Sequence, residues 1–375
     1  MNPRSKQRLI VGISGGVDSA VAALLLVRDG HEVQGLHMNN WDDDDQYCKA
    51  AEDYRDARKV CADLGIPLHR VNFAREYREQ VFDDFLNEYR RGGTPNPDVV
   101  CNRQIKFGAF IDYAMRLGAD RIATGHYAQI ERSGTTVKLL KGLDADKDQT
   151  YFLHAVKANA LSRSIFPIGG YTKAEVRRLA NDYGFANHAK RDSTGICFIG
   201  ERPFREFLSG YLPAQPGRIE TPDGNYIGTH DGLMYYTLGQ RQGLKIGGRR
   251  GYDAAPWYVA GKNLASNTLL VVQDHEHPLL WSSSLVATNL HWIAGSPPAA
   301  DFDCHARTRY RQAEAACRVQ VYADGAVGIS FREPQWAVTP GQYAVLYREE
   351  ECLGGGPIQS SDTRADQNYA PALSA

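Results

Sequence analysis

The sequence lacks a long hydrophobic run, a basic leader followed by an apolar stretch, and any Cys-x-x-Cys pair. No stretch reaches the roughly 20 apolar residues that a membrane-spanning helix needs, and the polar start Met1–Lys6 does not resemble a secretory signal. The missing Cys-x-x-Cys pair weakens zinc-ribbon and iron–sulfur interpretations. Seven cysteines, an odd number, fit a reducing compartment better than a disulfide scaffold. We therefore expect a cytoplasmic protein that has no membrane partner.

Neither sign of charge is in excess, since 43 Lys and Arg stand against 44 Asp and Glu and the net charge is -1. Bulk charge therefore argues neither for nor against a nucleic-acid partner, which only local patches could indicate. The hydrophobic fraction of 43% is ordinary for a globular protein with a sizeable core. A length of 375 residues is long for one domain and predicts two or three.

Short apolar strands alternate with helical patterns in the first part of the chain. Strands are predicted at 8–13, 32–38, 68–73 and 121–127, and helices at 18–29, 49–64, 76–90 and 104–117. Thr172 and Glu175 have capping-box spacing and predict a further helix. The alternation predicts an α/β domain with a parallel sheet, in which ligands lie beyond the carboxyl ends of the strands. Residues 12–19, Met38 and Gly125–His126 fall at such ends and are expected to share one crevice.

From about Pro213 onward, glycines and turn signals separate short strands, which predicts a change to β structure. We predict that the α/β domain is followed by a small central β-rich domain and a C-terminal β-barrel. The polar end of the chain is predicted to be a disordered tail. The predicted boundaries of these four segments are 1–212, 213–281, 282–358 and 359–375.

The string GISGGVDS at residues 12–19 matches neither Gly-x-x-x-x-Gly-Lys-Ser/Thr nor Gly-x-Gly-x-x-Gly. Gly15 and Gly16 would allow backbone N–H groups to approach a phosphate, and Ser14 and Ser19 add hydroxyl donors. The helix that follows directs its positive end toward the same place. These features favour an anion cradle over a simple corner between a strand and a helix.

Asp18 is a carboxylate beside that cradle, and we expect it to cap the helix or to meet a Mg²⁺ ion. The string Ser-Gly-Gly-x-Asp-Ser resembles the pyrophosphatase loop, or PP-loop, of enzymes that cleave ATP between the α- and β-phosphates. The resemblance implies that a carbonyl oxygen is adenylated and that pyrophosphate is released. A nucleophile then replaces the oxygen with nitrogen or sulfur, and the loop does not determine which.

Two cysteines have surroundings typical of reactive thiols. Cys101 follows a loop rich in proline and glycine, and we expect it at a helix start capped by Asn102, with Arg103 and Lys106 nearby. A helix start and positive neighbours favour the thiolate. Cys197 also follows a glycine-containing turn, and two reactive thiols beside an adenylating loop predict a sulfur-transfer enzyme that carries sulfur as a persulfide. A buried, inert role is expected for Cys61, Cys304, Cys317 and Cys352, whereas Cys48 is ambiguous.

Eight strings follow one another along nearly the whole chain: GISGGVDS, TPNPDVVCNRQIKFG, ATGHYA, KDQTYFL, FPIGGYTKAEVR, DSTGICFIG, TLGQRQGL and TRYRQ. Together they resemble the tRNA-specific 2-thiouridylases, which thiolate the wobble uridine of certain tRNAs. The resemblance implies a PP-loop domain of the adenine nucleotide α-hydrolase type, a central domain and a C-terminal β-barrel. It implies adenylation of the C2 carbonyl oxygen by ATP with Mg²⁺, sulfur transfer from a cysteine persulfide, and release of AMP and pyrophosphate. A sulfur-relay protein or a cysteine desulfurase would donate the persulfide, and tRNA would be the substrate.

The resemblance also assigns roles to matching residues. Cys197 would carry the persulfide, and Cys101 would be the partner nucleophile, able to form a transient disulfide with Cys197. Asn96, Pro97 and Asp98 would meet the target base, with Asp98 as a general acid or base or, equally well, as a turn former. The residues implied for ATP binding are Gly12, Ile13, Ser14, Gly15, Gly16, Val17, Asp18, Ser19, Met38 and Gly125. The residues implied for tRNA contact are Lys147, Asp148, Gln149, Arg309 and Tyr310. No set of metal-ligating side chains is predicted.

Three other functions are compatible with parts of the sequence. A PP-loop ligase that uses ammonia would explain the ATP loop but would leave Cys101 and Cys197 without a role. A non-catalytic RNA-binding protein would consume no ATP, and the complete glycine loop argues against it. A thiolase with an iron–sulfur cluster is disfavoured by the missing Cys-x-x-Cys pair. The sequence leaves open whether a persulfide attacks the base directly or first releases hydrosulfide.

Overall fold

A computed structural model describes residues 6–41, 50–134, 136–191, 203–247, 251 and 255–363 of the chain. Strands β1 to β7 are Arg8–Gly12, Glu32–Asn39, Leu68–Asn72, Arg121–Ala123, Ala128–Ser133, Thr136–Lys141 and Ser164–Ile165. Strands β8 to β18 are Gly217–Glu220, Tyr226–His230, Trp257–Asn263, Thr268–Gln273, Trp281–Ala287, His291–Trp292, Asp301–Arg307, Ala315–Val321, Val327–Trp336, Tyr343–Arg348 and Glu351–Ser361.

Helices α1 to α10 are Val17–Arg28, Ala50–Leu64, Ala74–Tyr77, Asp83–Arg90, Pro97–Cys101, Phe110–Arg116, Thr150–Leu153, Ala158–Ser162, Lys173–Tyr183 and Phe204–Ser209. Two π-helical segments, Arg78–Phe82 and Asn102–Ala109, join α3 to α4 and α5 to α6. Short 3₁₀ turns lie at Leu233–Tyr235 and Pro278–Leu280. Within the described ranges, no helix is both long and apolar enough to cross a membrane.

Five parallel strands form the sheet of the first domain, in the order β3-β2-β1-β4-β7. The strand–helix alternation predicted for this domain is confirmed, although the strand predicted at 121–127 already ends at Ala123. Strand β1 lies in the centre, and Leu9, Ile10 and Val11 are fully buried because helices cover both faces of the sheet. Leu9 and Val11 pack in the cluster that contains α1 and α9, whereas Ile10 packs in the cluster that contains α4 and α6.

Helix α9 begins at the predicted capping box. Thr172 Oγ1 accepts a hydrogen bond from Glu175 N (3.3 Å), and Thr172 N donates to Glu175 Oε2 (2.7 Å). The helix ends before Gly184, which has the left-handed φ of 90° that glycine adopts without strain. This helix packs on α1 and brings the first residue of α9 toward the glycine loop.

Between β4 and β7 the chain forms the hairpin β5–β6, which the sequence pattern did not predict. Strand β6 pairs with β18, so that Leu139 lies beside Cys352. The sheet of the last domain therefore continues into the first domain. The first and last domains are joined by backbone hydrogen bonds as well as by side chains.

The central domain is a sheet in the order β10-β11-β8-β9, as the predicted β-rich segment requires. The last domain has the order β12-β16-β15-β14-β17-β18, and pairing of β12 with β18 closes it into the predicted barrel. Strand β18 runs to Ser361, so residues 359–361, predicted as a tail, are part of the barrel. Residues 364–375 lie outside the described residues. The other predicted domain boundaries stay predictions.

Candidate active site

Two serines hold the corner that follows β1. Ser14 N donates to Ser19 Oγ (3.2 Å), Ser19 Oγ donates to Gly16 O (3.1 Å), and Gly16 N donates to Ser14 Oγ (3.3 Å). Gly15 has a φ of 84°, and a Cβ at this position would lie 2.4 Å from Asp53 O. A side chain at Gly15 would therefore be strained and would also strike α2. The conformation of the loop therefore requires glycine at position 15.

The carboxyl ends of β1, β2 and β4 lie side by side, because these strands are parallel neighbours. A Cβ at Gly125 would lie 2.7 Å from Ser19 N, so the chain just after β4 packs directly on the first turn of α1. Met38 is half-buried near the end of β2. His37 Nδ1 donates to Ile13 O (2.8 Å) and supports the loop from β2. All residues predicted to bind ATP therefore lie at one edge of the sheet, whereas the binding itself stays a prediction.

Asp18 does not cap α1, because Gly16 occupies the cap position without a side-chain hydrogen bond. The Asp18 carboxylate instead accepts hydrogen bonds from Lys173 Nζ (2.8 Å) and from the Tyr127 hydroxyl (2.8 Å). Lys173 was not predicted as a site residue. It is buried at the first position of α9, where a positive side chain opposes the helix dipole. That unfavourable position is the signal by which the sequence could have revealed Lys173.

The surroundings of Asp18 fit a Mg²⁺ ion that arrives with a nucleotide. Mg²⁺ is commonly held by one or two carboxylates together with substrate phosphates. Asp18 lies in the first turn of α1, directly after the glycine loop, and its side chain remains 31% exposed. Among the described residues no group of three or more His, Cys, Asp or Glu side chains could hold a metal ion by itself.

Cys197 lies outside the described residues, as does Cys48. The described chain that leads toward Cys197 lies against the glycine loop, because Asn187 Nδ2 donates to Gly15 O (2.9 Å). Lys190 Nζ donates to Asp53 (2.8 Å) and ties the same segment to α2. The persulfide and the disulfide predicted for Cys197 stay predictions.

Cys101 does not lie at a helix start capped by Asn102, as the sequence suggested. Helix α5 begins at Pro97 with Asn96 in the cap position, because proline at the first helical position has no N–H to leave unsatisfied. Cys101 therefore lies beyond the first turn and is buried in the core. Asn102 is also buried, and its Nδ2 donates to Phe152 O (3.2 Å). The helix start now favours charge at Asp98 more than at the thiol, since the dipole effect fades within one turn.

Asp98 reaches solvent although protein surrounds it on most sides. This enclosure raises the pKa of its carboxyl, and the nearby Lys106 acts in the opposite direction. Lys106 also acts on His126. Burial, together with the positive charge of Lys106, lowers the pKa of His126 well below its ordinary value. The His126 ring is held by a hydrogen bond between Nδ1 and Thr124 Oγ1 (2.7 Å) and packs 5.6 Å from the Phe107 ring. His126 is therefore a packed, neutral histidine, whereas Asp98 is an acid whose pKa is raised.

The two runs predicted to contact tRNA lie together, but Asp148 faces the interior. Its side chain is 1% exposed, and its carboxylate accepts hydrogen bonds from Thr150 Oγ1 (2.8 Å) and Arg307 Nη1 (2.9 Å). Arg307 also donates to Glu314 (2.8 Å). Asp148 thus joins the first domain to the barrel. Its carboxylate is not exposed in this structure, so it does not offer the surface that the predicted contact with tRNA requires.

Arg309 is likewise engaged inside the protein. One of its terminal nitrogens, Nη2, donates to Leu238 O (2.8 Å), Ala337 O (2.8 Å) and Thr339 Oγ1 (2.9 Å). Burial lowers the pKa of this arginine. Arg309 therefore links the central domain to the barrel, and its contact with tRNA stays a prediction.

The other predicted tRNA contacts are partly accessible. Tyr310 packs its ring 4.3 Å from the Phe152 ring, and both lie partly at the surface. Gln149 Oε1 accepts from Tyr127 N (2.9 Å), which supports the loop after β4. Tyr310, Gln149 and Lys147 are each half-buried and retain some exposed surface that an RNA could reach.

Three segments of the chain match known domain families. Residues 7–201 match the tRNA methyl transferase HUP domain, 205–273 the tRNA methyl transferase PRC-barrel domain, and 282–358 the aminomethyltransferase beta-barrel domain. The tRNA-specific 2-thiouridylase MnmA of Hahella chejuensis is 57% identical over 362 residues, which cover 96% of this chain and 99% of that protein. The protein of the same name from Methylococcus capsulatus is 55% identical over 368 residues, with 96% and 99% coverage. The chain belongs to the tRNA-specific 2-thiouridylase family.

Membership of the 2-thiouridylase family confirms the resemblance drawn from the eight strings. The matched domains also confirm the predicted order of an α/β domain, a central domain and a C-terminal β-barrel. The similarity to the 2-thiouridylase relatives extends over 96% of the chain, so it includes the two β domains as well as the glycine loop.

Proposed function

We propose that this chain is a tRNA sulfurtransferase that performs ATP-dependent 2-thiolation of the wobble uridine. The observation that carries the proposal is the proximity of the glycine loop to Gly125 and His126, and the charge of Lys106, which affects both His126 and Asp98. These neighbours support a site in which the glycine loop would bind the phosphates and the Asp98 carboxyl, whose pKa is raised, would act on the base.

In the first step, the C2 oxygen of uridine attacks the α-phosphorus of ATP. The bond from that phosphorus to the oxygen of the β-phosphate breaks, and pyrophosphate leaves with the electron pair. Asp98 takes the N3 proton, so that the adenylated base is neutral. The glycine loop and the start of α1 bind the phosphates. Asp18 would hold Mg²⁺, which offsets phosphate charge when it is bound.

In the second step, sulfur replaces the adenylated oxygen. The terminal sulfur of a Cys197 persulfide displaces AMP from C2, and the Cys101 thiolate then attacks Cys197 Sγ. This attack frees the thiocarbonyl, returns the proton to N3 from Asp98, and leaves a Cys101–Cys197 disulfide. In the alternative order, Cys101 attacks the persulfide first and the released hydrosulfide displaces AMP. In both orders an external dithiol reduces the disulfide by two electrons.

A partner must then reload Cys197 with sulfur. We propose a persulfide-donating relay protein or a cysteine desulfurase, because a persulfide is passed on by attack of one thiolate on another sulfur. The reducing cytoplasm suits this cycle, since a disulfide formed at each turnover has to be reduced. The odd number of cysteines supports the same location.

The proposal is tested by thiolation of unmodified tRNA with ATP, Mg²⁺, a dithiol and a persulfide donor. Wild type is compared with Cys101→Ser and Cys197→Ser, and nucleosides from the digested tRNA are analysed by mass spectrometry. We expect 2-thiouridine with wild type and its loss in Cys197→Ser. An ammonia-dependent ligase would keep its activity in Cys197→Ser. Pyrophosphate release to another acceptor without a thiolated nucleoside would leave the ATP loop in place and would refute sulfur transfer.

A further inference from the structure

The backbone of the loop that precedes α5 has hydrogen-bond partners in the barrel. Its sequence Thr94-Pro95-Asn96-Pro97 contains two prolines, which lack N–H groups and keep the preceding residues extended. Thr94 N donates to Pro340 O (3.0 Å), and Gln342 Nε2 donates to Thr94 O (2.8 Å).

The barrel segment that makes these contacts is shaped for close approach. Gly341 has a φ of 87°, and a Cβ there would lie 2.7 Å from Thr94 N and 2.6 Å from Glu88 Oε1. A side chain at Gly341 would therefore separate the barrel from the loop. The same segment is fixed from behind by Arg309, which bonds Ala337 and Thr339.

The central domain holds the start of the same loop. Lys262 Nζ donates to Gly92 O (3.0 Å), and a Cβ at Gly92 would lie 2.8 Å from the Leu264 side chain. Burial lowers the pKa of Lys262 to about 8, and the charge of Glu88 opposes that shift. Thr237 Oγ1 lies 3.4 Å from Thr94 Oγ1. Residues 92–96, 237–239, 262–264 and 337–342 thus form one interdomain junction.

The interdomain junction lies immediately before the residues assigned to chemistry. Asn96 occupies the cap position of α5 without a side-chain hydrogen bond, and Asp98 and Cys101 follow within the same helix. A helix start is set by the backbone that enters it, and here both β domains determine that entry. We propose that Gln342 is a positioning residue of the thiolation reaction, which, together with Lys262, holds the loop that presents Asp98 and Cys101. This inference rests on the proposed function for the identity of the reaction.

The test replaces Gln342 by methionine, which keeps the length of the side chain and removes the amide donor. We expect kcat for 2-thiouridine formation to fall roughly 10- to 100-fold, because small displacements of reacting groups have effects of that size. The KM values for ATP and tRNA should change less than threefold, roughly, since the phosphate loop is not altered. The matched control is Gln273→Met. It removes a hydrogen bond of the same kind, from the side-chain amide Nε2 of Gln273 to Ala255 O (3.0 Å), within the central domain.

A second readout does not depend on thiolation. Cys101 is 3% exposed, so its alkylation by iodoacetamide in the reduced protein should be slow in wild type and in Gln273→Met. In Gln342→Met the loosened loop should make alkylation at least fivefold faster, about the ratio that a local opening cost of 1 kcal/mol gives. Peptide mass spectrometry assigns the modified cysteine.

The outcomes separate the inference from the proposed function. The inference would be overturned if Gln342→Met kept the wild-type kcat and the wild-type rate of Cys101 alkylation. It would also be overturned if Gln273→Met lost as much kcat as Gln342→Met. A wild-type enzyme that makes no 2-thiouridine would overturn the proposed function, while the alkylation comparison would still decide whether Gln342 holds the loop. If Gln342→Met does not fold, Lys262→Met tests the other contact of the junction, with the same loss of kcat expected and an unchanged kcat contradicting it.

Discussion

At the residue scale, the negative charge of Asp18 beside the glycine loop is balanced by Lys173, whose helix α9 is far away in sequence but packs on α1. Asp18 lies in the first turn of α1, and its carboxylate is bonded by Lys173 and Tyr127. The Lys173 side chain is 11% exposed and that of Asp18 is 31% exposed, so this pair is shielded more than a surface ion pair. Removing one partner would leave the other charge poorly solvated.

We therefore expect Lys173→Met to lower the free energy of unfolding by about 1–3 kcal/mol, the range for leaving a buried partner unsatisfied. Urea denaturation measures the difference. The matched control is Lys138→Met, because the ion pair of Lys138 with Glu351 is 43% exposed on the lysine side and should contribute less than about 1 kcal/mol. Equal losses in the two variants would contradict a special role for Lys173. Adding Asp18→Asn to Lys173→Met should cost less than the sum of the single changes.

At the element scale, the close packing of the chain after β4 on α1 fixes the shape of the proposed phosphate site. The chain after β4 touches the first turn of α1 at Gly125, where a Cβ would lie 2.7 Å from Ser19 N and from Asp18 C. Both near atoms belong to the backbone, so they cannot move aside without shifting the helix start. The loop that precedes α1 would shift with it.

Gly125→Ala should therefore weaken ATP binding roughly 10-fold or more, as expected when phosphate-binding groups are displaced. Calorimetric titration with a non-hydrolysable ATP analogue measures the Kd. Gly170→Ala is the matched control, because a Cβ at Gly170 would meet no atom within 4 Å. An unchanged Kd in folded Gly125→Ala would show that the contact does not shape the site.

At the scale of the whole molecule, the first domain and the barrel are bonded into one unit. Strand β6 continues the sheet of the barrel, and the Asp148–Arg307 ion pair also connects the first domain to the barrel. The side chain of Asp148 is 1% exposed and that of Arg307 is 13% exposed. The pair therefore lies in an environment where an unpaired charge is strongly destabilising.

Arg307→Met should lower the free energy of unfolding by about 3 kcal/mol, because Asp148 would lose its counter-charge while remaining buried. Arg318→Met is the matched control, since its bidentate pair with Asp301 is 69% exposed on the arginine side and should contribute little to the free energy of unfolding. Urea denaturation of both variants decides between them. A loss below 1 kcal/mol, roughly, in Arg307→Met would mean that the ion pair does not hold the domains together.

Local patterns predicted the first domain well, because each of its strands and its glycine loop is formed by a short continuous segment of the sequence. Hairpin β5–β6 was missed, since its partner β18 lies far along the chain and no local signal records that pairing. The start of α5 was misplaced because Pro97 was taken as part of a loop, although proline is favoured at a first helical position. Asp148 was predicted to contact tRNA, since nothing nearby in sequence reveals its buried pairing with Arg307.

The most direct test of the central claim is nucleoside analysis of tRNA treated with the purified wild-type protein, with and without ATP. The account predicts 2-thiouridine at the wobble position with ATP, together with equal amounts of AMP and pyrophosphate, and none without ATP. A wobble uridine that stays unmodified while the persulfide donor and ATP are present would contradict it. Release of ADP instead of AMP would contradict the adenylation step, since it would mean that the β–γ bond of ATP is cleaved.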